Sequence, residues 1–158
     1  YYIYINHMKG IAVFQGKLKG SYCTFIQDSK NTHVKINGHI QNLSEGKHGF
    51  HVHQFGNLLK TDCSKCGGHW DPNNNDHGGL NDTNSHAGDL GNIIANISKE
   101  ANFHIKTSKL TLYGDESIIG RSIVVHKDED DLGKGCHKDS LITGHAGERI
   151  DCAIIGYA

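Results

Sequence analysis

The sequence predicts an all-β fold: an antiparallel sandwich or barrel of about eight short strands, interrupted by two long functional loops. Three observations carry this. Short β-prone runs recur along the chain between Gly- and Asn-rich turns, and no helical stripe of apolar residues accompanies them. Glycine is abundant at 20 residues and proline nearly absent at one, which fits many tight turns rather than disorder. Two stretches, Gln54 to Gly88 and Lys127 to Gly147, lack any apolar periodicity and are far longer than ordinary connections.

The elements follow in order. Gly10 to Gly16 and Ser21 to Gln27 are β-rich runs joined by a glycine-containing turn. Val34 to Ile40 alternates with period two, apolar at 34, 36 and 40. His48 to His53 comes next, then the first long loop. The β pattern resumes at Leu90 to Ile97, Phe103 to Thr107, Leu110 to Leu112 and Ile118 to His126. After the second loop, Ile150 to Tyr157 is the last strand.

At 158 residues the expectation is one domain spanning 1–158, with residues 1–7 as an upstream extension before the only methionine, Met8. The formal net charge of −1 gives no nucleic-acid footprint. No apolar run approaches the ~20 residues of a membrane span, and Tyr1 to His7 lacks the basic and apolar regions of a signal peptide. The cytoplasm is therefore the favoured location, with the virion or the extracellular space as alternatives. The sequons at Asn42, Asn81 and Asn96 do not decide this, because an Asn-rich chain carries such triplets by chance.

The chemistry lies in the histidines, of which there are 13. His51 and His53 are two apart in a β-prone segment, so both point to one face of a strand and can grip one ion. His69, His77, His86 and Asp89 follow in the first loop, and His126 ends a β-branched run. Three imidazoles and a carboxylate make a closed four-coordinate set of the kind that holds structural zinc. His51, His53, His126 and a fourth imidazole suit Cu(II). His69 can serve both ions only as a bridging imidazolate. The remaining seven (His7, His33, His39, His48, His104, His137 and His145) have no ligand spacing and are read as structural or surface residues.

The motifs Gly49-Phe50-His51-Val52-His53-Gln54-Phe55-Gly56, Gly68-His69-Trp70-Asp71-Pro72, His86-Ala87-Gly88-Asp89-Leu90-Gly91-Asn92 and Gly120-Arg121-Ser122-Ile123-Val124-Val125-His126 resemble those of the copper/zinc superoxide dismutases. So do Asp130-Asp131-Leu132-Gly133-Lys134-Gly135 and Gly144-His145-Ala146-Gly147-Glu148-Arg149. The resemblance runs from about Met8 to Ala158. It implies an eight-stranded Greek-key β-sandwich with a metal-binding loop and an electrostatic loop.

By the same resemblance, His51, His53, His69 and His126 match the copper ligands, and His69, His77, His86 and Asp89 the zinc ligands, one ion of each per subunit. Asp130 matches a carboxylate that orients one histidine of each set. Arg149 matches the cation that docks the anion, and His69 the residue that shuttles a proton. Cys63 and Cys152 match an intrasubunit disulfide that the family keeps even in reducing compartments. The implied activity is dismutation of superoxide to oxygen and hydrogen peroxide, with copper carrying the electrons. The implied partners are the superoxide anion, a second copy of the chain in a two-fold dimer, and a copper chaperone. Phe55, Gly56, Ile155 and Gly156 match dimer-interface positions, with Tyr157 in place of a smaller residue.

Three positions depart from the pattern. Ile142 stands where many relatives carry a lysine that guides the anion, Lys138 where an acidic residue is common, and Asp151 where a small residue is common. Activity with altered salt dependence is expected from the first two. Of the other cysteines, Cys23 is expected to be a buried thiol, and the sequence leaves open whether Cys66 and Cys136 form a second bridge between the long loops or stay free. A redox reading of Cys63-Ser64-Lys65-Cys66 finds no βαβ context. The competing function is a non-catalytic copper-binding or chaperone-decoy protein on the same scaffold. Such a protein has no need of Arg149, the full ligand set and the disulfide pair together.

Overall fold

The computed structural model describes residues 7–158. Residues 1–6, which the sequence assigns to an upstream extension, lie outside the described residues. Two antiparallel sheets face each other. One has five strands in the order β6-β3-β2-β1-β9, the other four in the order β5-β4-β7-β8. The strands are β1 (Met8–Val13), β2 (Tyr22–Gln27), β3 (Val34–Gln41), β4 (Gly46–His53), β5 (Asp89–Ala95), β6 (Glu100–Thr107), β7 (Ser122–His126), β8 (Arg149–Ile154) and β9 (Gly156–Tyr157).

Alternation makes the sandwich. Burial alternates along β2 and, except at Gly38, along β3, with Cys23, Phe25, Val34 and Ile36 among the buried residues. These side chains meet Phe50, Val52, Ile93, Ile123 and Val125 from the other sheet. Phe50 and Phe103 close part of that core edge to face, with centroids 5.0 Å apart. Burial pushes the Cys23 thiol far up, so the residue packs as a small apolar group, as expected.

β4 and β7 break the alternation, because all of β7 and the last six residues of β4 are buried. One face of each looks into the sandwich. The other carries His51, His53 and His126 and is roofed by the two long loops. Val124 on that outer face packs with Cys63, Cys66 and Cys152 in a second, smaller cluster.

The structure corrects the sequence reading at several points. Leu110 to Leu112 is no strand: the Leu112 N–H is taken by the Gln27 side chain at 2.7 Å, not by a neighbouring strand. The Ile118–His126 run starts only at Ser122, after Gly120 turns the chain at φ 86°. The last predicted strand splits where Ile155 crosses between sheets, giving β8 and β9. Two single helical turns, Ser64–Cys66 and α1 (Ser140–Thr143), are too short to leave a periodic trace. Cys66 and Cys136 are separate thiols, Cys66 buried in the loop cluster and Cys136 exposed.

Candidate metal centre

β4 lays the foundation. His51 and His53 alternate with Phe50 and Val52, so the apolar pair enters the core and the imidazoles face the loops. The register of β4 against β5 shifts between Gly49 and His51, and His51 then stands opposite Asp89. Gly49 lets Ala146 of the second loop pack close against the strand here. A Cβ there would lie 2.7 Å from the Ala146 Cβ and 3.1 Å from His51 Cε1.

The first loop is sewn to β4 by its backbone. Trp70 N–H donates to Val52 O at 2.7 Å, Val52 N–H to Gly88 O at 2.9 Å, and Gly88 N–H to Trp70 O at 2.8 Å. These bonds hold His69 between the other two sets of ligand residues. His77 N–H donates to Leu141 O at 2.8 Å, tying the first loop to the second.

Four atoms converge around one point. His69 Nδ1 lies 2.8 Å, His77 Nδ1 2.9 Å and His86 Nδ1 3.2 Å from Asp89 Oδ1. His69 Nδ1 is 3.3 Å from both His77 Nδ1 and His86 Nδ1. A tetrahedral zinc with ligands near 2.0–2.1 Å spaces its ligand atoms by about 3.3 Å. The second oxygen of Asp89 is fixed by N–H groups of Gly78 and His86 at 3.0 and 2.9 Å, which leaves Oδ1 turned to the imidazoles.

The adjoining set is all imidazole. His51, His53, His69 and His126 are buried and bring ligand atoms within 4.8 Å of one another. The partner of each ring decides which nitrogen is free. His53 Nδ1 donates to Gly67 O at 3.0 Å and His126 Nδ1 to Gly147 O at 3.3 Å, which frees both Nε2 atoms. Those two lie 3.3 Å apart. His51 Nε2 is held by Asp130, which frees Nδ1. His51 Nδ1 and His69 Nε2 are buried and have no hydrogen-bond partner. Buried nitrogens without partners are rare in proteins, and a coordinated ion accounts for both. The all-imidazole set suits copper; the imidazole and carboxylate set suits zinc.

Asp130 couples the two groups. Its Oδ2 is 2.7 Å from His51 Nε2 and its Oδ1 2.7 Å from His77 Nε2. Asn92 clamps Asp130 in turn, accepting from its N–H at 2.7 Å and donating to its carbonyl at 2.9 Å. Asn92 lay within a recognised motif, but nothing in the sequence gave it a role.

Comparison with known proteins now decides the lineage. Residues 19–155 match the family model of copper/zinc superoxide dismutase (SODC). The chain belongs to the copper/zinc superoxide dismutase family. One relative, "Superoxide dismutase [Cu-Zn] 5" of Dictyostelium discoideum, is 48% identical over 148 residues, covering 94% of this chain and 97% of the relative. As a member of the family the chain is an oxidoreductase that dismutates superoxide and binds copper and zinc.

A fixed guanidinium stands beside the imidazole set, held by backbone carbonyls. Arg149 opens β8 opposite His126. Its Nη1 donates to Cys63 O at 2.8 Å and its Nη2 to Gly67 O at 2.7 Å. Desolvation lowers its pKa from the usual arginine value, and the guanidinium stays cationic. The Cys63–Cys152 disulfide joins this loop to β8 across 89 residues. Arg149, Gly147, His53, His69, His126, Ile142 and Asp139 line one cleft of about 570 Å³.

Burial sets the protonation of the cluster. Desolvation first, then neighbouring imidazoles, pushes His51 and His53 well below the ordinary imidazole value, and likewise brings His126 to about 3. Such rings are neutral, the form that binds metal. Desolvation would lower His77 too, but hydrogen bonds to Asp130 and Asp89 outweigh it and raise His77 to about 9. Burial would raise Asp89; hydrogen bonds from His69, His77 and His86 overcome that and hold it far below the usual carboxylate range.

Sequence reasoning missed the acceptors that orient the site, Gly67 O, Cys63 O and Gly147 O, because any residue can supply a carbonyl. It left His48 as structural, and His48 is a buried staple, with Nδ1 2.8 Å from His126 O and Nε2 2.8 Å from Ser44 O. Asp151 proves to be a buried cap: Oδ2 accepts from Leu18 N–H at 2.8 Å and Oδ1 from Cys152 N–H at 2.9 Å.

Proposed function

We propose that dismutation runs at one copper ion per subunit, held by His51, His53, His69 and His126. One zinc ion, held by His69, His77, His86 and Asp89, has a structural role. The single observation that carries this is the pair of buried nitrogens without partners, His51 Nδ1 and His69 Nε2, inside an otherwise satisfied cluster. Copper supplies the one-electron chemistry when bound.

The chain supplies binding, orientation and protons. Arg149 holds the superoxide anion at the cleft with a fixed, forked cation whose position is set by two carbonyls. His69 Nε2 is the atom that takes a proton and passes it toward the peroxide product. Asp130 keeps His51 and His77 in the tautomers that present Nδ1. His51, His77 and Asp89 are buried away from the cleft that His53, His69, His86 and His126 line, and that cleft is the route for water and substrate.

The deciding experiment is pulse radiolysis of the protein loaded with copper and zinc. A rate near ~10⁸–10⁹ M⁻¹s⁻¹, the diffusional ceiling that superoxide dismutases as a class reach, is expected. A negligible rate with both metals verified in place would overturn the reading.

Pairing of two chains belongs to the same proposal. Phe55 and Tyr157 are large apolar residues exposed by 56% and 70%, and Ile154 is exposed beside Gly56. Ile155, which the sequence matched to the interface, faces the core instead. Sedimentation at micromolar concentration is expected to give a dimer, and a monomer would refute this part.

A further inference from the structure

The second loop carries two imidazoles that the metal cluster does not use. His137 and His145 lie face to face, ring centroids 3.7 Å apart and planes 11° from parallel. His145 Nδ1 is 2.7 Å from Asp139 Oδ1. Asp139 lines the same cleft as Arg149, His53, His69 and His126. A carboxylate at that mouth repels an arriving anion. Ile142, also on the cleft wall, offers no cation to offset it.

This arrangement makes the charge at the mouth conditional. A neutral His145 donates a hydrogen bond through Nδ1 and leaves the Asp139 charge in place; a protonated His145 cancels it. Two imidazolium rings in such a stack repel. Imidazole is the ordinary side chain that changes charge between pH 5 and 8. The hydrogen bond to His145 is the leading cause that holds Asp139 below its usual range, so the carboxylate stays ionised there. The background charge comes from Lys138 on the same loop, from Lys127 and Glu148, whose backbones are bonded, and from Asp128, whose carboxylate lies against Gly147. His145 is set over Asp139 by a left-handed turn, φ 69° at Gly144 and 52° at His145.

We propose that His145, with His137 stacked on it, is a proton-operated guide for the anion: when the pair takes up a proton, the Asp139 charge at the cleft is cancelled and superoxide is captured faster. The proposal rests on the dismutase reading given above. His145 acts through Asp139 and is a positioning residue.

The test compares wild type, H145N, H137N and D139N, each loaded with copper and zinc, by pulse radiolysis at pH 6 and pH 8 and low ionic strength. Asparagine suits position 145 because it tolerates the left-handed region and still bonds Asp139 without charge. Wild type is expected to be about two- to fourfold faster at pH 6, a modest part of the ~10–10³-fold that steering can give. Its rate is expected to fall more steeply with salt at pH 6 than at pH 8. H145N is expected to stay near the slow value with at most a weak pH response from His137, D139N to be faster than wild type at pH 8 with a response left to the imidazole charge itself, and H137N to be intermediate. A fast but pH-flat wild type, or an unchanged pH response in H145N, would overturn the guide alone. Inactivity of every variant at both pH values would instead overturn the dismutase reading beneath it. A carbon NMR titration of the Asp139 carboxylate in the zinc-loaded protein is independent of turnover. The carboxylate shift is expected to change between pH 8 and pH 6 in the wild type and to stay constant in H145N, and no change in the wild type would sink the proposed pair.

Discussion

Replacing both Cys63 and Cys152 with serine returns to the denatured chain the freedom of a loop that the bridge closes across 89 residues. In the chain-entropy model such a closure is worth about 4–5 kcal/mol at room temperature. Both cysteines are nearly fully buried beside Val124 and Cys66, so two hydroxyls placed there can only add to the loss, and the entropy figure is its lower bound. For 158 residues, at roughly 2 cal/mol/K each, the unfolding entropy is about 0.3 kcal/mol/K, so the melting temperature should fall by about 13–17 °C. The assay is urea and thermal unfolding of the metal-free protein, so that no ion contributes. The urea m-value should rise, since the uncrosslinked denatured state exposes more surface. A loss under about 1 kcal/mol with an unchanged m-value would refute the reasoning. It would mean that the denatured chain already holds these ends together.

Two further outcomes follow from the cluster. Asp130→Asn puts an amide where one of two imidazole N–H groups now finds an oxygen, and both metal affinities should drop by about 10- to 100-fold, read by chelator competition. A change confined to one metal would show that Asp130 serves only one ring. Zinc uptake by the metal-free protein at pH 7 should release close to one proton, because His77 is raised to about 9 and must lose its proton to bind. The sign runs the same way for the fold: in the metal-free protein the His77 contribution is full below about pH 6.5, the ordinary imidazole value, and fades as pH rises through about 9. Calorimetry in buffers of different ionisation enthalpy measures the proton count, and zero protons released would exclude His77 as the site of uptake.

Much of this was legible in the chain. The i, i+2 spacing of His51 and His53 put both rings on one strand face, and the structure brings them together with every ligand residue named from the sequence. The disulfide partners were legible only through family motifs. What stayed hidden has a common cause: it depends on atoms that carry no side-chain identity. The carbonyls of Cys63 and Gly67 aim Arg149, and the carbonyl of Gly147 turns His126. Leu110 to Leu112 looked like a strand because both leucines are buried, yet a glutamine side chain took the backbone bond that a ladder needs. His137 and His145 looked like scattered surface rings, and only the left-handed turn after α1 stacks them.

His69 and Asp130 each belong to both halves of the metal cluster. That sharing has a thermodynamic consequence. Any tightening of copper that zinc brings about, by fixing the shared ring or the shared carboxylate, must be matched by an equal tightening of zinc by copper, since coupling free energies are reciprocal. The two affinities are then not separate properties of the molecule. A half-loaded population is a distinct thermodynamic species, and the supply of one ion in the surroundings sets how firmly the other is kept.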